Sequence, residues 1–407
     1  MATLKQVWQV YKENGCEATV HRTIQAKLGT DSDAPAARAF LDELERLLGE
    51  QELLLLMLSI GLGGLYETQA SFIGILLREE VLQPKMVDML LEKLSEFSAE
   101  MDAQMMEKNI PKLILRELRW MDHVVDPQQL IEKLIGALPA FAPSLQRDII
   151  YILPEIASDE DSLIVVDALL ELIRSDAGLV VCCIEALGNF NVLNEQTATV
   201  VQCVLERLDS SPLTDLPAIV KYLVQEAPVI NIEEIVDQLR EKLSSTLAFE
   251  DTTAAVRSGK SGNEEALILG SIVQGFYFRE ELLKVFIGKI QATGPTATSL
   301  RLLDIWILIG AHSIRRHQDK MGKLLKKKVH TGMLSQDLMI QSITSHANAL
   351  KSFFPSLLQL GSMLITQTAD ESCVAMGSLL YELLFEEFSS RVNDESNGNQ
   401  TVFYQGE

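Results

Sequence analysis

A chain of 407 residues is too long for one ordinary core, which leaves room for two or three domains or one elongated repeat array. Apolar residues make up 47% but aromatics only 6%, and an apolar mass of mainly Leu, Ile, Val, Ala and Met suits interlocking helices better than sheets. The net charge of −22 excludes a protein that coats nucleic acid over its whole surface, though not one local basic face.

No basic-then-apolar leader opens the chain. The most apolar run, Leu53 to Leu65, is 13 residues long and carries Gly61, Gly63 and Gly64, short of the roughly 20 apolar residues a bilayer span requires. Neither secretion nor membrane insertion is expected, so the glycosylation pattern Asn399-Gln400-Thr401 carries no meaning. The glycines lack a strand-turn-helix context and read as close helix packing, not as a dinucleotide fingerprint. Cys16, Cys182, Cys183, Cys203 and Cys373 form no Cys-x-x-Cys pair and read as small core residues of a reducing compartment.

From residue 111 onward, amphipathic segments of about 12 to 18 residues repeat with apolar positions three and four apart. Between Pro111 and Asp126 the stripe is Ile114, Leu118, Met121 and Val125; Pro127 then starts a helix with Leu130, Leu134 and Leu138. A third segment follows the cap-rich Ser158-Asp159-Glu160-Asp161 with Leu163, Val166, Leu170 and Ile173. A fourth is capped at Asn231, with Glu234 three residues on, and runs Ile232, Ile235, Leu239, Leu243. Helix starts near 111, 127, 143, 159, 177, 195, 215 and 231 give a spacing of 16 to 20 residues, the period of stacked helical hairpins. The stretches Ile149 to Ile156 and Leu179 to Leu187 are apolar on more than one face, as sandwiched helices require. The expected fold is all-α: an irregular HEAT-like α-solenoid of stacked antiparallel helix pairs.

The polar, glycine-bearing stretch Glu250 to Glu265 breaks the period and reads as a flexible linker. Helical segments resume at Ala266 and continue over Phe276 to Ile290, Ser299 to Ile314, Arg315 to Val329, Leu334 to Leu350, Pro355 to Leu364 and Glu371 to Phe388. The expected organisation is a solenoid over 1–249, a linker over 250–265, a second solenoid segment over 266–390 and a disordered tail over 391–407.

The constellations of an enzyme are not assembled. Arg257-Ser258-Gly259-Lys260-Ser261 supplies only the end of a phosphate-binding loop, since Ala254 stands where its first glycine is required. His312 and His317, five apart, face different directions on a helix and gain no third ligand. The acid pairs Glu79-Glu80, Glu233-Glu234 and Glu386-Glu387 diverge on their helices. No catalytic role, metal or cofactor is expected.

One charged feature stands apart. Residues 315–328 hold seven cations against Asp319 alone, a net of +6, so the rest of the chain carries −28. At 100° per residue Arg316, Lys320, Lys323 and Lys327 share one face, opposite Met321, Leu325 and Val329. Such a cation ridge on a core-anchored helix is either a solvated face or a contact line for nucleic-acid phosphates. No aromatics are interleaved for stacking, which limits the reading to non-specific backbone contact.

Five collinear stretches carry a family resemblance. Asn109-Ile110-Pro111-Lys112-Leu113-Ile114 continues through Leu118-Arg119-Trp120-Met121-Asp122-His123-Val124-Val125-Asp126. Leu145-Gln146-Arg147-Asp148-Ile149-Ile150 precedes Leu153-Pro154-Glu155-Ile156, and Asp215-Leu216-Pro217 comes with Ile219 and Lys221. Leu239-Arg240-Glu241-Lys242-Leu243 and Gly377-Ser378-Leu379-Leu380-Tyr381 complete the set. Together they resemble the N-terminal part of the Fanconi anaemia group D2 family. The resemblance implies an α-solenoid half that forms a heterodimer with the paralogous Fanconi anaemia group I protein and clamps duplex DNA in the nucleus during interstrand crosslink repair. It also implies modification by the Fanconi ubiquitin ligase machinery, at a lysine downstream of the Gly377–Tyr381 stretch, so no residue here inherits that role. The competing expectation is a generic HEAT-like protein-protein adaptor that binds no DNA.

Overall fold

The structure is a computed structural model that describes residues 2–14, 17–29, 34–60, 70–98, 108–121, 123–157, 161–190, 194–226, 232–244, 263–292, 300–367 and 370–396. Among these every regular element is helical, and no described helix is long and apolar enough to cross a membrane. The helices fall into two compact units, Met1–Leu193 and Asn194–Glu407.

The first unit opens with α1 (Ala2–Asn14), α2 (Glu17–Leu28), α3 (Pro35–Leu48) and α4 (Gln51–Leu58). It continues with α5 (Phe72–Leu77), α6 (Gln83–Glu96) and α7 (Ile110–Arg119), and closes with α8 (Pro127–Ala137), α9 (Pro143–Ile156), α10 (Ser162–Ser175) and α11 (Val180–Gly188). The second unit holds α12 (Asn194–Ser210), α13 (Leu216–Lys221), α14 (Ile232–Ser244), α15 (Glu264–Phe278) and α16 (Glu280–Ala292). Then come α17 (Leu302–Ser313), α18 (Gln318–His330), α19 (Gln336–Ser345), α20 (Ala347–Thr366) and α21 (Glu371–Ser396). Within each unit a helix packs on a chain neighbour and on the helix two further along, as α7 on α9 and α9 on α11, or α13 on α15 and α15 on α17. This alternating contact is the all-α, solenoid-like stacking of helix pairs that the period predicts.

Local chemistry explains the boundaries. Asp126 accepts the Gln129 N–H at 2.9 Å, and Pro127 fills the first turn, where no backbone donor is lost. In α9 the residues Ile149, Ile150, Ile152, Leu153 and Ile156 are all buried, and in α11 both Cys182 and Cys183 are buried among apolar neighbours, as helices apolar on more than one face require.

Several expectations are corrected. The stripe from Ile114 to Val125 stops at Leu118, because α7 ends at Arg119 and Val125 is exposed. The buried Gln83 of α6 imposes that stop: its amide donates to the His123 carbonyl at 2.7 Å and accepts the Val125 N–H at 2.6 Å, holding the chain out of helix. Leu163 is exposed, and Val165 and Leu169 take the inward positions beside Val166 and Leu170. The segment Phe276 to Ile290 is divided at Arg279, where Arg279 N–H closes α15 on the Gly275 carbonyl and Glu280-Glu281 open the next helix. The segment Leu334 to Leu350 is divided at His346, and Pro355 lies inside α20, not at a helix start.

The second unit begins at Asn194, and within it α14 packs against α16 and α17, so helices on both sides of residues 250–265 share one unit. Of that stretch 250–262 lies outside the described residues, and Glu264 and Glu265 already belong to α15. The last helix runs to Ser396, into the expected tail, as an established helix propagates at little cost; 397–407 lies outside the described residues. Gly61, Gly63, Gly64, Cys16, the Arg257–Ser261 stretch and Asn399 lie outside them too.

Candidate nucleic-acid interface

The candidate ridge is built on α18. Its last turn carries Lys327, Lys328 and His330, which suit the negative end of the helix dipole. Gly332, at φ +73, terminates it in the left-handed region that favours glycine, with its N–H on the Val329 carbonyl. Met321, Leu324, Leu325 and Val329 are buried against α17, α20 and α21. Burying such a side chain is worth about 1.5–3 kcal/mol, whereas like charges four apart on a helix cost about 0.2–0.5 kcal/mol. The apolar face therefore fixes the helix, and the mutual repulsion of the lysines is tolerated.

The structure places Lys320, Lys323 and Lys327 exposed on the outer face of α18, as their spacing predicts. Arg316 is exposed but lies in the turn before the helix. Its guanidinium donates to the Phe276 and Tyr277 carbonyls at 2.8 and 3.1 Å, and its Nε donates to His317 Nε2 at 3.0 Å. Arg316 is thus a strut between the start of α18 and the end of α15, with less of its donor capacity left for a ligand than the three lysines have. The remaining cations diverge. Lys326 reaches the Gln367 carbonyl at 3.3 Å, while Lys328 is buried with Nζ 3.4 Å from the Ile290 carbonyl, and burial pulls its ammonium below the usual lysine range.

Two residues missed in the sequence reading belong to this edge. The half-exposed Tyr277 lies with its ring centroid 5.9 Å from the Arg316 guanidinium carbon, a cation–π distance. Lys284 of α16 reaches the same cavity as Lys320. Both are more than 30 residues away in the chain, so no local pattern could have found them.

The other singled-out groups serve structure. His312 is buried, with its Nδ1 2.9 Å from Ser356 Oγ, and burial lowers its pKa. Buried Glu79 faces His21 Nδ1 at 2.5 Å; burial raises its carboxyl above the usual range and His21 draws it back. Asp304 faces Arg240, and Glu117 faces Arg116. Among the described residues no group of three His, Cys, Asp or Glu side chains converges as metal ligands would. An open apolar groove of about 660 Å³ lies between α20 and α21, lined by Phe354, Leu358, Tyr381 and the exposed Phe385.

A family model described as Fanconi anaemia protein FancD2 nuclease matches residues 64–403. The chain is 28% identical over 342 residues to the Fanconi anemia group D2 protein of Gallus gallus, covering 80% of this chain and 24% of that protein. To the homolog of Rattus norvegicus it is 26% identical over 345 residues, covering 81% of this chain and 24% of the relative. The homolog of Mus musculus is 26% identical over 383 residues, covering 90% and 26%. The chain spans about a quarter of the length of these curated relatives.

Proposed function

The chain belongs to the Fanconi anaemia group D2 family, and from that membership we propose that it is a non-enzymatic scaffold of DNA interstrand crosslink repair that works in the nucleus. In this reading it pairs with the paralogous group I protein and contacts duplex DNA non-specifically. The Fanconi ubiquitin ligase machinery is, in this reading, a further partner.

The observation that carries the DNA contact is the row Lys320, Lys323, Lys327 on a helix held by its buried opposite face. These lysines are about 4.5 and 6 Å apart along the axis, at 1.5 Å per residue, and so form one continuous line of positive charge. A phosphate line would relieve their repulsion and release counterions, which favours non-specific duplex binding even in an acidic chain.

The matched family's description includes the word nuclease. Phosphodiester hydrolysis by a metal site needs carboxylates converging on one point. Three of the five buried acids among the described residues face a cation instead: Asp304 faces Arg240, Glu79 faces His21 and Glu117 faces Arg116. The scaffold reading is therefore preferred.

Co-expression with the group I paralogue, followed by size-exclusion chromatography, tests the pairing. A stable one-to-one complex is expected. Separate elution at micromolar concentration would discard the pairing and leave the generic helical adaptor, which the net charge of −22 favours.

A further inference from the structure

Between α16 and α18 lies a notch of about 170 Å³. Lys284 and Gln291 of α16 stand on one side, Lys320 and His317 on the other, and Met321 contributes to an apolar floor. We propose that this notch is a phosphate-binding site, taking one phosphate group, either free or from the backbone of a bound nucleic acid. The second source rests on the proposed function above; the first does not.

Size and shape fit the ligand. A water takes about 30 Å³ of liquid volume, so the notch has room for a tetrahedral oxyanion with some of its waters. Gly288 lines the notch, and a Cβ built there meets nothing within 4 Å, so an anion can approach the backbone on that side.

Charge fits as well. Lys284 and Lys320 come from different helices and face one cavity, with Arg316 bonded behind His317. Glu280, also on the rim, holds Lys284 at 3.3 Å across an i,i+4 pair exposed on both sides, a pairing worth little. Glu280 is the anion already in residence, and a phosphate dianion competes with it for Lys284. Two titrating groups report a positive field. The Glu280 carboxyl is held below its ordinary range by Lys284 first, then by His317 and Arg316. The His317 imidazole is pulled down by burial first, then by Arg316 and Lys320, with Glu280 opposing. An anion in the notch would offset both cations and let His317 take a proton.

The test follows the His317 ring resonances by NMR while inorganic phosphate is titrated into the whole chain, against chloride at matched ionic strength. His317 is faced by Arg316 and Lys320 near it in the chain and by Glu280 and Lys284 from α16. A saturable upward shift of its titration midpoint is expected. The shift should disappear in Lys320→Gln and in Gly288→Leu, which fills the notch without changing charge, and should need less phosphate in Glu280→Gln. No shift in the wild-type chain, or an equal shift in Lys320→Gln, overturns the site. A duplex-binding arm separates the sources. If the backbone supplies the phosphate, Gly288→Leu lowers duplex affinity and reduces the slope of log K against log salt by about 0.9, one phosphate's worth. An unchanged slope assigns the notch to free phosphate. Phosphate binding without any duplex binding would keep the notch and reject the proposed DNA contact.

Discussion

Arg240 and Asp304 form a two-pronged ion pair in the core of the second unit, with Nε donating to Oδ1 at 3.0 Å and a terminal nitrogen donating to Oδ2 at 2.7 Å. Asp304 has no exposed surface, and the pair joins α14 to α17 across the polar stretch 250–265. Forked geometry on a planar carboxylate fixes how the two helices meet as well as how strongly.

Removing one partner strands the other charge away from water. Asp304→Ala is therefore expected to destabilise the second unit by about 3–5 kcal/mol in urea denaturation. The double variant Arg240→Met with Asp304→Leu should cost much less than Asp304→Ala, because no lone charge remains buried. Equal losses in the two variants would show that the pair's own attraction, not stranded charge, dominates.

Close helix packing gives a second expectation. A Cβ at Gly377 would lie 2.9 Å from the Gly361 carbonyl oxygen and 2.7 Å from Ile365 Cγ1, so α21 cannot approach α20 as closely once a side chain is present. Gly377→Ala should cost about 1–3 kcal/mol by overpacking. Gly136, where an added Cβ meets nothing within 4 Å, is the control, and Gly136→Ala should stabilise α8 by about 0.5–1 kcal/mol. Both are read from denaturation midpoints.

Acid sensitivity follows from His312. Burial depresses its pKa, with Asp319 opposing, so the unfolded chain takes up a proton at a higher pH than the folded one. The stability it supplies is present above its unfolded value near 6.5 and is lost as pH falls from there toward the depressed folded value. His317 works in the same direction. Thermal melting temperatures should fall as the pH drops below about 6.5, and His312→Gln should make that fall shallower. An identical slope in the variant would rule out His312 as a source.

The helical period was legible because it depends on local spacing. Pro127 and Pro143 begin helices where their position predicts, and Ile235, Leu239 and Leu243 are buried as the stripe requires. What depends on distant partners was not legible. The end of α7 is held by Gln83 of another helix, and Leu163 faces solvent because the neighbours of α10 cover Val165 and Leu169 instead. The same division runs through the candidate site. Lys320, Lys323 and Lys327 follow from helix geometry, whereas Arg316 is drawn aside by the carbonyls at the end of α15, and Lys284 and Tyr277 reach the site only through tertiary packing.

The ridge is the most direct point of attack on the functional account. Duplex binding of the whole chain, followed by fluorescence anisotropy across a salt series, should give a straight log–log dependence whose slope counts the phosphates neutralised, at about 0.9 each. Reversing Lys320, Lys323 and Lys327 to glutamate should flatten that slope by about 2–3 and weaken binding alike for unrelated duplex sequences. A slope unchanged by the triple reversal, or a wild-type chain that binds no duplex at low salt, would contradict a DNA-contacting scaffold.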